Sequence, residues 1–166
     1  MKDLTKLVAE CKAELDFINV PYQTVVRWTV NTRAKARWGY CKSLWEGNFE
    51  IQIARCLLED TVDDIAVKTT IIHELLHTVK GCHGHKGKWK EYAEYVNRKL
   101  PQYHIKRTTS HAEKGLEYKP KKKTYKYVFE CQHCKRQVKR ERSSKFVENY
   151  ERYTCVNCGG RFTRIK

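Results

Sequence analysis

The apolar positions of the first hundred residues follow a helical period at the start and a strand period soon after. Five apolar residues recur on one helical face, with Asp3 before them as an N-cap: Leu4, Leu7, Val8, Cys11 and Leu15. This spacing predicts a helix over residues 4–15, closed by Pro21. β-branched, aromatic and alternating residues then predict three short strands over 23–30, 36–41 and 48–54, with a turn at 46–48.

Helical spacing returns downstream of the predicted strands. The second helix is expected to begin near Thr61, with Asp64 as a capping acid, and to run to about Lys80, where Gly81 ends it. A third helix is predicted from about Trp89 until Pro101 stops it. Helices beside a small antiparallel sheet predict an α+β fold.

The remainder of the chain changes character twice. Residues 106–123 are polar and basic, which indicates a linker, and residues 124–166 are rich in aromatic and β-branched residues around paired cysteines. We therefore expect a compact domain over 1–105, a basic linker over 106–123 and a small β module over 124–166.

Charge is distributed unevenly along the 166 residues. Lys and Arg total 34 against 19 Asp and Glu, a net charge of +15, of which residues 98–166 carry +14 and residues 1–97 only +1. Such a basic end predicts a polyanionic partner, for which nucleic acid is a candidate. No apolar run is long enough for a membrane span and the N-terminus lacks a signal-peptide pattern, so we expect no membrane partner and a cytoplasmic, nucleoid or nuclear location.

The second predicted helix contains His73-Glu-Leu-Leu-His77, the HExxH pattern. Histidines four residues apart lie one above the other on a helix and can share one zinc ion. Glu74 is placed one residue further round, as a general base for zinc-dependent hydrolysis. A catalytic zinc needs a third protein ligand, and the residues leave His83, His85, Glu91 and Glu94 as candidates. The metzincin pattern is rejected because Lys80 stands where that family has Gly and the only methionine is Met1.

The stretches Trp38–Cys41, Ile51–Ala54, His73–Cys82 and Gly84–Trp89 together resemble the SprT/Spartan family of zinc metalloproteases, over about residues 1–100. The resemblance implies a compact catalytic fold, His85 as third ligand with Trp89 four residues later, and protein substrates bound or crosslinked to DNA. The family's usual glycine after this histidine is Lys86 here, and Gly87 follows one place late. The family often carries a C-terminal zinc ribbon.

Two cysteine pairs in the last segment have the spacing of a structural zinc site: Cys131, Cys134, Cys155 and Cys158. The sequence thus predicts two zinc ions, one catalytic and one structural. Cys11, Cys41, Cys56 and Cys82 are scattered and are interpreted as small buried apolar residues.

Basic residues interleaved with aromatics around the cysteine pairs predict a nucleic-acid surface, with single-stranded DNA as one form of the ligand. The candidates are Lys121, Lys122, Lys123, Lys135, Arg136, Lys139, Arg140 and Arg142.

The leading hypothesis is a zinc endopeptidase acting on DNA-associated proteins. The alternatives are a nucleic-acid-binding ribbon protein whose HExxH domain is a non-catalytic scaffold, and a peptidase of free proteins. No oxyanion-stabilising residue can be assigned, since Tyr92 and Tyr95 fit packing roles better.

Overall fold

The N-terminal helix, α1 (Leu4–Phe17), begins where its cap predicts. The Asp3 carboxylate accepts hydrogen bonds from the backbone N–H groups of Thr5 (2.8 Å) and Lys6 (3.2 Å). This computed structural model describes residues 1–34, 37–116 and 123–166. Contacts divide the chain into two compact units, Met1–Tyr118 and Lys119–Lys166.

Three strands follow α1: β1 (Val25–Asn31), β2 (Gly39–Ser43) and β3 (Phe49–Ala54). They form one sheet in the order β1-β3-β2. The predicted antiparallel pairing holds for β2 and β3, but β1 runs parallel to β3, so the sheet is mixed. The reason is topological: β2 and β3 form a hairpin, and β1 pairs with the other edge of β3 instead of extending the meander.

The central helix α2 (Asp64–Leu76) starts later than Thr61, because Asp63 is the residue whose carboxylate caps it, accepting from the N–H of Ile65 at 2.7 Å. The predicted helical stretch to Lys80 continues only as tight turns after Leu76. Helix α3 (Lys88–Lys99) ends close to the predicted stop. Core residues on α2 and α3 are almost fully buried, among them Val67, Ile71, Leu75, Trp89 and Val96.

The first unit continues past residue 105, where the sequence predicted a linker. We call residues 106–116 the strap. The indole N–H of Trp38 donates to the carbonyl of Thr109 (3.2 Å), and the Lys114 ammonium donates to the carbonyl of Ala66 (2.8 Å). The sequence predicted a linker here, but partly buried hydrogen bonds tie the strap to Trp38, directly before β2, and to α2.

The second unit contains a three-stranded antiparallel sheet in the order β5-β4-β6. Its elements are β4 (Tyr127–Cys131), β5 (Gln137–Arg140), α4 (Lys145–Glu148) and β6 (Phe162–Arg164). A small core of Phe129, Val147 and Phe162 lies beside two buried cysteines. The α+β fold class is confirmed. In the described ranges of the chain, no helix is long and apolar enough to span a membrane.

Candidate active site and metal centres

Three histidine side chains of the first unit point their Nε2 atoms at one another. His73 lies in the last turn of α2, and His77 is the residue that caps its C-terminus. The Nε2 atom of His85 lies 3.0 Å from that of His73 and 3.1 Å from that of His77. Nitrogen ligands about 2.0–2.1 Å from one tetrahedral zinc ion would lie about 3.3–3.4 Å apart. The cluster therefore has the dimensions of a three-histidine zinc site, slightly contracted.

The opposite ring nitrogens of two of these histidines are held by backbone carbonyls. His73 Nδ1 donates to the carbonyl of Lys106 (3.0 Å), and His77 Nδ1 donates to that of Cys82 (2.9 Å). A carbonyl only accepts, so the ring proton sits on Nδ1 and each Nε2 presents a lone pair. Both lone pairs face His85 Nε2, which carries at most one proton, so at least one of them stays unsatisfied unless a cation lies between the rings. The donor set fits a metal on this ground.

The environment of the cluster keeps the rings uncharged. Burial lowers the pKa of His73 to about 3 and also lowers the pKa values of His77 and His85, and the neighbouring imidazoles add to the effect. Neutral imidazole is the form that ligates metals.

The structure brings His85, and none of the other three candidates, to the two helical histidines. His83 is exposed on the cavity wall, and Glu91 and Glu94 are exposed on α3, where Glu94 pairs with Lys90 at 3.6 Å. Gly87 has a φ of 54°, a conformation that glycine adopts without strain. The glycine that comes one place late is thus the residue that turns the chain from His85 into α3.

Trp89 is buried behind the histidines. Its ring centroid lies 4.8 Å from that of His73, 5.5 Å from that of His77 and 4.7 Å from that of His85. The indole contacts all three rings, so it holds the cluster together from behind.

Glu74 lies beside this cluster on the same helix and is buried, with 6 % of its surface exposed. Its carboxylate accepts the backbone N–H of Cys41 on β2, an interaction that lowers its pKa, but the larger effect is burial, which raises the pKa to about 8. A Cβ atom built on Gly39 would lie 2.4 Å from Glu74 Oε1, so glycine is required where β2 passes the carboxylate.

A cavity of about 440 Å³ opens over the histidines and Glu74. Its lining includes several residues that the sequence reasoning did not single out for the site: Arg37, Gly39, Cys41, Lys106, Arg107 and Lys114. Gly39 and Cys41 had a signal, since they belong to the Trp38–Cys41 stretch. The carbonyls of Lys106 and Cys82 had none, because a backbone contact leaves no side-chain pattern.

The second unit brings its four paired cysteines together. The Sγ atoms of Cys131 and Cys158 are 3.5 Å apart, those of Cys134 and Cys155 are 3.6 Å apart, and all four lie within 4.8 Å of one another. Four thiolates about 2.3 Å from one zinc ion would have S···S distances of about 3.8 Å. The N–H of Cys134 lowers the pKa of Cys131 to about 6, which favours the thiolate that binds metal.

Both cysteine pairs end in the same backbone turn. Lys135 and Gly159, each directly after the second cysteine of its pair, have φ values of 58° and 69°. A Cβ atom on Gly160 would lie 2.8 Å from Cys131 Sγ. The matched turns and the sulfur cluster are those of a zinc-ribbon fold. The scattered cysteines lie outside both clusters in the ranges the structure describes: Cys11 and Cys82 are buried, and Cys41 and Cys56 are partly buried.

The predicted nucleic-acid residues that the structure describes are all exposed: Lys123, Lys135, Arg136, Lys139, Arg140 and Arg142. Lys121 and Lys122 lie outside the described residues. Lys139 and Arg140 stand on β5, an edge strand of the ribbon sheet. A groove beside them is lined by Lys123, Tyr125, Lys139 and Lys166 together with apolar residues. Arg136 donates to Asn157 (2.6 Å), and Lys135 pairs with Glu130 (3.7 Å).

A helix that presents two histidines and a buried carboxylate, joined by a third histidine from the following loop, defines a metalloprotease-like domain. A comparison with protein-family models matches residues 8–111 to the SprT-like family. That match covers more than half of the chain, which therefore belongs to the SprT-like family and is consistent with a zinc metallopeptidase. A search among curated proteins finds no significant match.

Proposed function

We propose that this protein is a zinc-dependent endopeptidase that cleaves proteins bound or crosslinked to DNA, and that its ribbon binds the nucleic acid. The observation that carries the peptidase assignment is the convergence of three neutral histidine nitrogens beside the carboxylate of Glu74. The SprT-like family match supports the metallopeptidase class, and the choice of DNA-bound substrates follows the resemblance to the SprT/Spartan family.

His73, His77 and His85 would hold the catalytic zinc ion, and the four ribbon cysteines the structural one. Bound at the histidines, zinc supplies Lewis-acid chemistry that acidifies water and polarises a peptide carbonyl. Glu74 takes the proton from the attacking water and then delivers it to the leaving amine. The Cys41 N–H fixes the carboxylate in position for both transfers.

The free edge of β2 suits an extended polypeptide. The carbonyl of Trp38 and the N–H of Leu44 bond to β3, so the alternate residues Gly39, Cys41 and Ser43 turn their backbone groups away from β3. These three residues also line the cavity. The N–H of Cys41 already donates to Glu74, so a substrate strand can add to this edge through the Cys41 carbonyl and the backbone groups of Gly39 and Ser43, and pass over the histidines. A chain bound by its backbone at an edge need not present a terminus, which favours endopeptidase activity.

Charge supports the nucleic-acid part of the proposal. Residues 119–166 contain 15 Lys and Arg against 4 Asp and Glu, a net charge of +11. Cations neutralise phosphates and the aromatic Tyr125 offers a face for an unpaired base, so the ribbon groove fits single-stranded DNA. Association with DNA would place the protein in the cytoplasm and nucleoid, or in the nucleus.

The test is cleavage of a DNA-binding protein by the zinc-loaded wild type and by Glu74→Gln, each with and without single-stranded DNA. Glu74→Gln should lower the cleavage rate by about 10²–10⁴-fold, since it removes the general base. Zinc content by metal analysis and DNA affinity should stay at wild-type values, because Glu74 is neither a zinc ligand nor part of the proposed DNA-binding surface.

Cleavage by the purified variant at the wild-type rate would refute the peptidase assignment at this site. Zinc-loaded wild type that binds DNA and cleaves nothing would favour the non-catalytic scaffold. Cleavage that ignores DNA would favour a peptidase of free proteins.

A further inference from the structure

Lys114 is a buried lysine that peptide cleavage, as described above, does not use. It lies at the end of the short helical turn Ala112–Lys114 of the strap, with only 3 % of its surface exposed. Its Nζ donates to the carbonyl of Ala66 and to Thr70 Oγ1, both at 2.8 Å. An ammonium group has three N–H donors, and these two acceptors are neutral. The positive charge is therefore buried against dipoles alone among the described hydrogen bonds.

This ammonium lies next to the candidate active site. Thr70 precedes His73 by one helical turn, so both side chains lie on the same face of α2. Lys114, Thr70 and His73 all line the cavity. The charge of Lys114 also contributes to the lowered pKa of His73, behind burial and the neighbouring histidines, so the two groups are within electrostatic range.

The cavity is cationic. Four basic residues line it, Arg37, Lys106, Arg107 and Lys114, against the single carboxylate of Glu74. Glu113, the strap's own acid, is already engaged: it accepts from the N–H of Ser110 (2.7 Å) and pairs with Lys106 (3.0 Å). Glu113 acts on Lys114 only electrostatically, with no hydrogen bond between them; a buried charge that no anion hydrogen-bonds is costly, and an arriving carboxylate would relieve that cost.

We propose that Lys114 forms a subsite that takes an aspartate or glutamate side chain of the substrate polypeptide, close to the scissile bond. This specificity rests on the proposed peptidase function. A peptide is favoured over a nucleic acid as occupant because a single flexible side chain can enter a buried pocket. Phosphodiester chains meet exposed cations, such as those of the ribbon.

The experiment begins with zinc-loaded, full-length protein and β-casein in the presence of single-stranded DNA. Mass spectrometry identifies the cleaved bonds. Peptides spanning one such bond are then made in pairs that differ only by Glu or Gln at each flanking position in turn, and kcat/KM is measured for each pair.

At one position, Glu should exceed Gln by about tenfold in kcat/KM, the size of one charge-assisted hydrogen bond. Lys114→Met should bring that ratio to about one. Lys68→Met is the control: it also removes a largely covered lysine, here one on α2 itself, but Lys68 pairs with Glu10 (2.6 Å) and Glu14 (3.3 Å) of α1 and does not line the cavity. Its ratio should equal that of the wild type.

Equal cleavage of Glu and Gln peptides at every position by the wild type would overturn the subsite while leaving the peptidase intact. A preference that survives in Lys114→Met would also overturn it. Should Lys114→Met fail to fold, inhibition of the wild type decides: a Glu-containing peptide should compete with the Gln substrate more strongly than its Gln twin. Stronger competition by a short oligonucleotide would assign the pocket to nucleic acid instead. Failure to cleave any peptide or casein would count against the proposed function itself.

Discussion

Gly39 is the residue on which the position of Glu74 depends most directly. Its Cα faces the carboxylate with no room for a methyl group, since an added Cβ would lie 2.4 Å from Oε1. We predict that Gly39→Ala displaces the carboxylate and lowers kcat by about 10²-fold, the cost of misplacing a catalytic group by about 1 Å. Steady-state kinetics on a peptide substrate, with zinc content determined in parallel, measures this effect.

Gly84→Ala is the control for Gly39→Ala. Gly84 has no heavy atom within 4 Å of an added Cβ and lies in the same loop as His85. It should keep both zinc and activity. A Gly39→Ala protein with normal kcat would mean that the carboxylate tolerates displacement, and the role given to β2 would be wrong.

At the residue scale, the sequence predicted which side chains form the site better than it predicted the groups that hold them in place. The spacing of His73, Glu74 and His77 is enough to place them together, because helical geometry is regular. The choice of His85 over His83 as third ligand needed the family resemblance. The spacing of residues in a loop does not determine which side chain points towards His73 and His77. The carbonyl of Lys106 and the buried ammonium of Lys114 could not be foreseen, because their contacts depend on how a distant segment folds back.

At the scale of elements, the strap lines the cavity of the candidate active site. It supplies the carbonyl that orients His73 and the ammonium of Lys114, and the indole of Trp38 holds it at Thr109. We predict that a protein ending at residue 105 binds its zinc about 10–100-fold more weakly than one ending at residue 118, the usual effect of losing a hydrogen bond to a metal ligand. Competition with a chromophoric chelator measures both affinities.

The longer truncation serves as the control, because both proteins lack the ribbon. Equal affinities would show that the strap contributes nothing to the orientation of His73. A loss of helix content by circular dichroism in the shorter protein would instead show a structural effect on α2, so both measurements are needed.

Local residues determine where helices begin and end, but they do not determine how the strands pair. The cap at Asp3 and the stop at Pro101 are local signals, so the sequence pattern located α1 and the end of α3, although α2 begins at Asp64 and not near Thr61. The direction of β1 relative to β3 depends on which edge of β3 is left unpaired by β2. The alternation of hydrophobic residues does not indicate which edge this is. The basic composition of residues 106–123 predicts a linker. Composition does not reveal that Lys114, one of these basic residues, is buried.

At the scale of the whole molecule, the two units differ in net charge. Residues 1–118 carry 19 Lys and Arg against 15 Asp and Glu, a net charge of +4, whereas residues 119–166 carry +11. We predict that replacing Lys139 and Arg140 together by Gln weakens binding to single-stranded DNA and makes the salt dependence of log Kd shallower by about 1.4. Fluorescence anisotropy over a series of salt concentrations measures both quantities.

The matched control removes the same charge from the first unit. Arg98 and Lys99 are exposed neighbours in the last turn of α3, and replacing both by Gln should leave DNA affinity and salt slope nearly unchanged. Equal weakening by the two double variants would mean that DNA responds to net charge alone and that the ribbon has no dedicated surface.

The hydrogen bond from His73 to the carbonyl of Lys106 joins residues 33 positions apart. During translation, the helix that bears His73 and His77 leaves the ribosome well before the strap does. A nascent chain at that stage has the two helical histidines but lacks the carbonyl that fixes the tautomer of His73. The zinc site is therefore completed late in synthesis, when the strap has emerged to close the cleft. A ribosome-bound chain whose strap has not yet emerged should therefore bind zinc more weakly than the finished unit.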